Sequence, residues 1–224
     1  MKTQKNIFCI IPAYNEEKRI VKTINDVKKY ISNIVVIDDC STDKTYKLAK
    51  QQNIIVLKHI INRDQGAALQ TGNEYVLRNN ADIIVHFDAD GQFLASEIND
   101  MIKPIINENY DVVLGSRFLG KKSNMPWFKK NIIFPLARIV NKIFFNINLT
   151  DPQSGFRALS KNALKKIKIE QDGKAHCSEI LYKIFKYNLK VKEVPITVVY
   201  HHFGQKFSGG ITIIKDIIFA KLLN

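Results

Sequence analysis

The sequence predicts an α/β fold built on a mainly parallel, doubly wound sheet, and three observations predict it. Short apolar runs alternate with segments of helical spacing through the first half of the chain, the pattern of β–α units assembled into one sheet. The runs are nearly continuous in Ile and Val, as strands buried on both faces are. Successive runs also end in acidic residues, Asp38-Asp39 after the second and Asp88-Ala89-Asp90 after the fourth. In open α/β sheets ligands gather at the carboxyl ends of the strands.

Ile7 to Ile11 is the first buried run. It ends in Pro12-Ala13-Tyr14-Asn15-Glu16-Glu17, a turn followed by acidic residues suited to a helix N-terminus. Ile20, Ile24, Val27 and Ile31 recur at helical spacing, and Ile34 to Ile37 is the second run, ending in Asp38-Asp39-Cys40-Ser41-Thr42-Asp43. Tyr46 to Lys50 reads as a helix and Ile54 to Leu57 as a third strand. Asn62-Arg63-Asp64-Gln65-Gly66-Ala67-Ala68 is a loop opening a helix that runs to about Leu77. Asp82 to Phe87 is the central strand, Ser96 begins the following helix, and Asp111 to Leu114 is a short strand ending in Gly115-Ser116-Arg117.

The pattern changes after Gly120. Lys121 to Lys130 is basic and aromatic together, and 131–149 is long and apolar but broken by Pro135, Arg138 and Lys142. Charges in mid-segment argue against a transmembrane helix. Two readings remain open there: a helix pair lying in the membrane interface, with Trp127, Phe128, Phe134, Phe144 and Phe145 toward lipid, or an ordinary helical hairpin of the core. Thr150 to Arg157 is a loop rich in turn formers. Ala163 to Ile167 and Ser178 to Tyr187 read as helices. Lys190 to Val199 reads as a strand pair or bent strand that Pro195 places at an edge. His201 to Gly210 is a basic loop, and 211–223 a closing amphipathic or lipid-facing helix.

A chain of 224 residues with 46% hydrophobic and 25% charged residues suits one globular domain with a substantial core. Its 34 basic against 21 acidic residues leave a net charge of +13, which favours an anionic partner: nucleic acid, a phospholipid surface or a phosphorylated substrate. Cys9, Cys40 and Cys177 are odd in number and widely spaced, fitting reduced thiols better than a disulfide framework or a zinc site. The residues before Pro12 hold too short an apolar stretch for a signal peptide or a span.

The stretch Ile83 to Gln92 organises the rest. Asp88 and Asp90 are two apart and share a face in extended backbone, and Gly91 allows a sharp turn that brings the Gln92 carbonyl toward the same point. Hard oxygens converging at a strand end suit Mg²⁺ or Mn²⁺. An acidic turn capping the next helix is the alternative reading, and Asp39 has the same alternative.

Five motifs in order, Pro12-Ala13-Tyr14-Asn15-Glu16, Asp38-Asp39, Asp88-Ala89-Asp90-Gly91-Gln92, Gly115-Ser116-Arg117 and Gln153-Ser154-Gly155-Phe156-Arg157, make the chain resemble the family 2 glycosyltransferases. Within them it is most similar to the dolichyl-phosphate mannosyltransferase and polyprenyl-phosphate glycosyltransferase branch, over roughly residues 5–205. The resemblance implies a GT-A type fold, Rossmann-like, with amphipathic interfacial helices. It divides the single domain into a nucleotide-sugar half over 5–120, interface helices over 121–150, an acceptor half over 151–210 and a closing helix over 211–224. It implies that Pro12, Tyr14 and Glu16, with Ile37 and Asp39, line the base and ribose. Asp88, Ala89 and Asp90 would meet the diphosphate and sugar, with Asp90, Gln92 and Asp88 holding Mg²⁺ or Mn²⁺. Arg117 would face a phosphate, and Asp90, Arg117 and Asp88 are the catalytic candidates. Arg157 and Lys206 join the phosphate-binding set, although the late loop departs from the family pattern: His201 stands where relatives carry Arg, and Lys206 falls one position early.

The implied reaction is inverting transfer of a sugar from a nucleoside diphosphate donor, GDP-mannose or a UDP-sugar, to a polyprenyl or dolichyl phosphate. Negative charge grows on the β-phosphate as the anomeric bond breaks, and a pre-positioned divalent cation and basic side chains stabilise it. A hydroxyl acceptor needs a carboxylate base. Asp151 and Glu179 are the nearest candidates for one, with roles in a turn and at a helix start as their alternative. A lipid phosphate is already an anion and needs only cations, with Arg117, Lys129, Lys130, Arg138, Arg157 and Lys206 as candidates. This reading makes the protein peripheral on the cytoplasmic face of the membrane and leaves an integral membrane partner open. The competing readings are a family 2 enzyme with a glycan hydroxyl acceptor and a basic nucleic-acid-binding module. The latter leaves the acidic strand ends unaccounted for and has no recognised motif.

Overall fold

The computed structural model describes residues 5–120 and 149–199. Within them lie seven strands in one sheet: β1 (Ile7–Ala13), β2 (Asn33–Asp38), β3 (Ile55–Lys58), β4 (Ile83–His86), β5 (Val112–Ser116), β6 (Arg157–Ser160) and β7 (Val191–Pro195). The helices are α1 (Ile20–Lys28), α2 (Thr45–Lys50), α3 (Asp64–Arg78), α4 (Ile98–Glu108), α5 (Lys161–Lys166) and α6 (His176–Lys186), with a 3₁₀ turn at Ala95–Glu97. The order across the sheet is β3-β2-β1-β4-β6-β5-β7. Every pairing is parallel except those of β6, which runs against both β4 and β5.

Side-chain alternation explains the three layers. Along β1, Cys9, Ile11 and Ala13 enter one core with Ile20, Ile24 and Val27 of α1 and Ile98, Met101 and Ile102 of α4. Phe8 and Ile10 enter the other, with Leu69 and Val76 of α3, Leu164 of α5 and Ile180, Leu181 and Ile184 of α6. Strands covered on both faces must be apolar throughout, which is why β1, β2 and β4 show as unbroken runs. Each fully buried Ile or Leu contributes about 1.5–3 kcal/mol of transfer free energy. Local capping contributes as well: Ser160 Oγ accepts the Ala163 N–H at 3.1 Å and starts the six-residue α5.

One element differs from the sequence expectation, and one expected at the sheet edge is found there. Arg157 was expected to close a loop, but Arg157–Ser160 forms β6 and Arg157 is 1% exposed. A four-residue strand opening on a charge carries no apolar run to announce it. Lys190 to Val199 resolves into β7 at the sheet edge with Pro195 as its last residue, followed by an isolated bridge between Phe93 and Val198. The interface helices expected over 121–150 and the closing helix expected over 211–224 lie outside the described residues, 149 and 150 apart. No helix among the described residues is long and apolar enough to cross a membrane.

Candidate active site

The chain builds β1, β2 and β3 outward in one direction and then returns to place β4 on the other side of β1. The carboxyl ends of β1 and β4 therefore diverge into a crevice, the topological switch point of the sheet. A cavity of about 570 Å³ opens there. Pro12, Ala13, Tyr14 and Glu16 line it from the end of β1, Asp39 from the end of β2, and Asn62, Asp64, Gln65 and Ala68 from the start of α3. Asp88, Ala89 and Asp90 follow β4, and Lys174 comes from the loop before α6.

The wall beneath Tyr14 is laced by side chain to backbone bonds. Asn15, at φ 56°, donates its N–H to Ser41 Oγ at 3.0 Å, and Glu16 donates to Thr45 Oγ1 at 2.7 Å. The polar residues after β2 thus hold the loop after β1, leaving Tyr14 49% exposed at the rim. Asp39 is buried but not acting as a helix cap. Its Oδ1 meets His59 Nδ1 at 2.7 Å and accepts the Arg63 N–H at 3.0 Å, while His59 Nε2 reaches Thr71 Oγ1 at 2.9 Å. The carboxylate is oriented by the His59 ring and the Arg63 amide, and the third βα loop is pinned to it.

At the end of β4, Asp88 Oδ1 accepts Gln65 Nε2 at 2.7 Å. A Cβ on Gly155 would stand 2.5 Å from Asp88 Oδ2, so only glycine admits the carboxylate at this position. Burial first, and the like charge of Asp90 second, push the Asp88 carboxyl up to about 7, against a downward pull from Arg157. Asp90 Oδ1 accepts the Gln92 N–H at 2.9 Å across the turn that Gly91 makes at φ 71°. Thr23 Oγ1 of α1 donates to the Ala89 carbonyl at 3.1 Å and anchors the turn from below. The Gln92 carbonyl, expected to turn toward the carboxylates, instead accepts the Val199 N–H at 2.9 Å, and Gln92 is not among the cavity-lining residues.

Other expected site residues lie elsewhere. Arg117 Nε meets Asp151 Oδ2 at 2.5 Å, outside the cavity lining. Arg157 is enclosed in the sheet with Nη2 3.1 Å from Cys177 Sγ. Ile37 is fully buried in the core that β2 shares with α3, beneath the site rather than on its surface. Lys206 and the His201-His202 pair lie outside the described residues, as do Lys129, Lys130 and Arg138. Gln65, His59 and Lys174 were not singled out from sequence. Gln65 follows a strand and opens a helix, a placement that marks it as a candidate. His59 and Lys174 carry no local signal.

The family model for glycosyl transferase family 2 matches residues 8–168, which takes in the ends of β1, β2 and β4 and the start of α3 around the cavity. The chain belongs to glycosyl transferase family 2. A UDP-N-acetylglucosamine–dolichyl-phosphate N-acetylglucosaminyltransferase of Methanococcus voltae is 37% identical over 98% of this chain and 95% of its own length. An undecaprenyl-phosphate mannosyltransferase of Micrococcus luteus is 29% identical over 92% of this chain and 88% of its own. Glucosyl-3-phosphoglycerate synthase of Mycobacterium tuberculosis, solved with Mn²⁺, UDP-glucose and phosphoglyceric acid, superposes with a TM-score of 0.76 at 18% identity, over 97% of this chain and 80% of that one. This family 2 glycosyltransferase accordingly has the GT-A type fold.

Asp88 and Asp90 suit a hard divalent cation. Both line the cavity, and their mutual repulsion helps raise the Asp88 carboxyl, a cost that a shared cation relieves. Among the described residues no cluster of three or more His, Cys, Asp or Glu side chains forms a closed metal cage. An open pair of carboxylates matches Mg²⁺ and Mn²⁺, which take further ligands from water and phosphate oxygens.

Proposed function

We propose that this glycosyltransferase moves a sugar from a nucleoside diphosphate donor to a polyprenyl phosphate, with inversion at the anomeric carbon and with Mg²⁺ or Mn²⁺ bound at Asp88 and Asp90. The observation that carries the reading is the convergence of Pro12, Tyr14, Glu16 and Asp39 with Asp88, Ala89 and Asp90 on one cavity at the switch point. Tyr14 and Glu16 offer an aromatic face and an acceptor to a base and ribose. Asp39, held by His59 and the Arg63 amide, keeps an oriented carboxylate beside them. The cation, when bound, would neutralise charge growing on the β-phosphate. Lys174 is the one basic side chain among the described cavity residues, and its ammonium supports the same leaving group.

Two observations favour a phosphate over a hydroxyl as nucleophile. The carboxylates considered as bases have other partners: Asp151 takes Arg117, and Glu179 takes Lys183 and the amides of Glu170 and Gln171. The surplus of 34 basic over 21 acidic residues suits an anionic acceptor at a membrane surface. The 37% relative's name makes UDP-N-acetylglucosamine the first donor to test. The experiment presents labelled UDP-N-acetylglucosamine and GDP-mannose with Mg²⁺ or Mn²⁺, and compares a short polyprenyl phosphate with oligosaccharide acceptors. Label passing into the organic phase as a lipid phosphate sugar is the expected result. Transfer confined to a sugar hydroxyl, or none with either donor, overturns the reading.

A further inference from the structure

We propose that Cys177 is a modification site, a peroxide-reactive sulfur built from the first turn of α6 and the enclosed guanidinium of Arg157. The sulfur lies at the second residue of an eleven-residue helix, where the backbone dipole favours negative charge. Arg157 Nη2 donates to it at 3.1 Å, and His176 Nε2 stands 3.4 Å away. His176 is 2% exposed and its Nδ1 bonds the Gly173 carbonyl at 2.8 Å, which fixes the ring so that Nε2 faces the sulfur. Cys177 itself is partly exposed.

Arg157 also carries an unused donor. Arg157 is 1% exposed, yet its Nη1 has no hydrogen-bond partner. An enclosed guanidinium nitrogen without an acceptor is costly. It is fixed to the same planar group whose other nitrogen already holds the sulfur. An oxygen placed on Cys177 Sγ would stand beside that fork and accept from Nη1.

The electrostatics agree with the geometry. Burial by itself raises the Cys177 thiol, but Arg157 and then His176 outweigh it and bring the thiol down to about 6. Burial likewise opposes protonation of His176, and the adjacent sulfur reverses that and holds the imidazole above its ordinary value, which favours a thiolate–imidazolium pair. The other titratable groups of this neighbourhood are Asp88 and Asp90 after β4 and His86 within it; burial first, and then the charges of Arg157 and His176, push His86 well below its ordinary value. In the reaction the thiolate sulfur forms a bond to one peroxide oxygen as the O–O bond breaks. Sulfur loses two electrons, and the departing hydroxide takes the proton of His176 and leaves as water, giving the sulfenic acid.

The two remaining cysteines are internal controls. Cys9 is wholly buried and burial drives its thiol upward. Cys40 is partly exposed like Cys177, but its sulfur contacts the Ile60 carbonyl at 3.5 Å rather than a cation. The test exposes the full chain briefly to hydrogen peroxide, traps sulfenic acid with a cyclic 1,3-dione, and maps labelled peptides by mass spectrometry. Cys177 is expected to label at least about tenfold faster than Cys40, at a rate flat across about pH 7 to 9 and falling as the thiolate is protonated below that range. His176→Gln should slow labelling, although the profile of the unsubstituted chain decides the matter without any variant. Equal labelling of Cys40 and Cys177, or a rate that climbs steadily to about pH 9 as for an ordinary thiol, overturns the proposal. The reaction needs neither donor nor metal, so its outcome is independent of whether sugar is transferred.

Discussion

Arg117 and Asp151 form an ion pair, with Nε and the backbone N–H of Arg117 2.5 and 3.2 Å from the same Asp151 oxygen. Asp151 is fully buried, and its own amide donates to Glu193 Oε1 at 2.9 Å. The pair joins the end of β5 to the loop that leads into β6, so the direction of Arg117 is set by Asp151 outside the cavity lining. Removing one member of a buried pair costs about 3–5 kcal/mol, because the other charge loses its desolvated partner. Asp151→Ala should lower the urea midpoint by the equivalent of that figure; an unchanged midpoint would show that the pair is not maintained in solution.

Asp90→Ala should leave the circular dichroism spectrum and unfolding midpoint near those of the parent while removing the effect of Mn²⁺ on nucleotide binding. Titration calorimetry with UDP, with and without Mn²⁺, reads this directly. Cation-assisted binding that survives the substitution would rule out Asp90 as a ligand.

Gly155→Ala places a methyl carbon 2.5 Å from Asp88 Oδ2, inside contact distance. The carboxylate must turn away from the cavity, so kcat should fall by about 10²-fold or more while KM for the donor moves far less. A parallel rise in KM with unchanged kcat would place Gly155 in ground-state binding instead.

Lys174→Ala should weaken donor binding by about tenfold, the scale of one charged hydrogen bond to a phosphate. The loss should shrink in high salt if the ammonium acts as a solvated charge. A variant with unaltered donor affinity and rate would remove Lys174 from the site.

Asp111 ties three elements together at the opposite end of the sheet. Its Oδ1 accepts Asn162 Nδ2 at 2.8 Å, and its Oδ2 accepts the Lys190 N–H at 3.0 Å. Burial raises this carboxyl, but the hydrogen bonds from Asn162, Lys190 and Ser160 outweigh it and leave it below its ordinary 3.8. A depressed carboxyl contributes stability that is present above the unfolded value and lost as pH falls through the folded one. Urea midpoints should therefore drop more steeply below about pH 4 in the parent than in Asp111→Asn.

Legibility followed burial on two faces. β1, β2 and β4 announce themselves because a strand covered on both sides can hold little but Ile, Val and similar residues. β6 does not, because Arg157 opens it and four residues give no period to read. The same contrast runs through the site. Tyr14, Asp39, Asp88 and Asp90 stand at strand ends and could be named in advance. His59 and Lys174 come from positions with nothing distinctive around them, and they reach the site only because α3 and the loop before α6 pack where they do.

What the sequence by itself determined was the layered α/β architecture, the family, and the gathering of carboxylates at one edge of the sheet. The architecture and the carboxylate edge follow from side-chain period and from where each apolar run stops, which are local properties; the family follows from the resemblance of five ordered motifs. Only the tertiary structure decided which polar groups face the cavity and which face one another. It sent Arg117 to Asp151, Arg157 to Cys177 and the Gln92 carbonyl to Val199. A charged or polar group taken out of water must find a partner, and which partner lies within reach depends on packing between segments far apart in the chain.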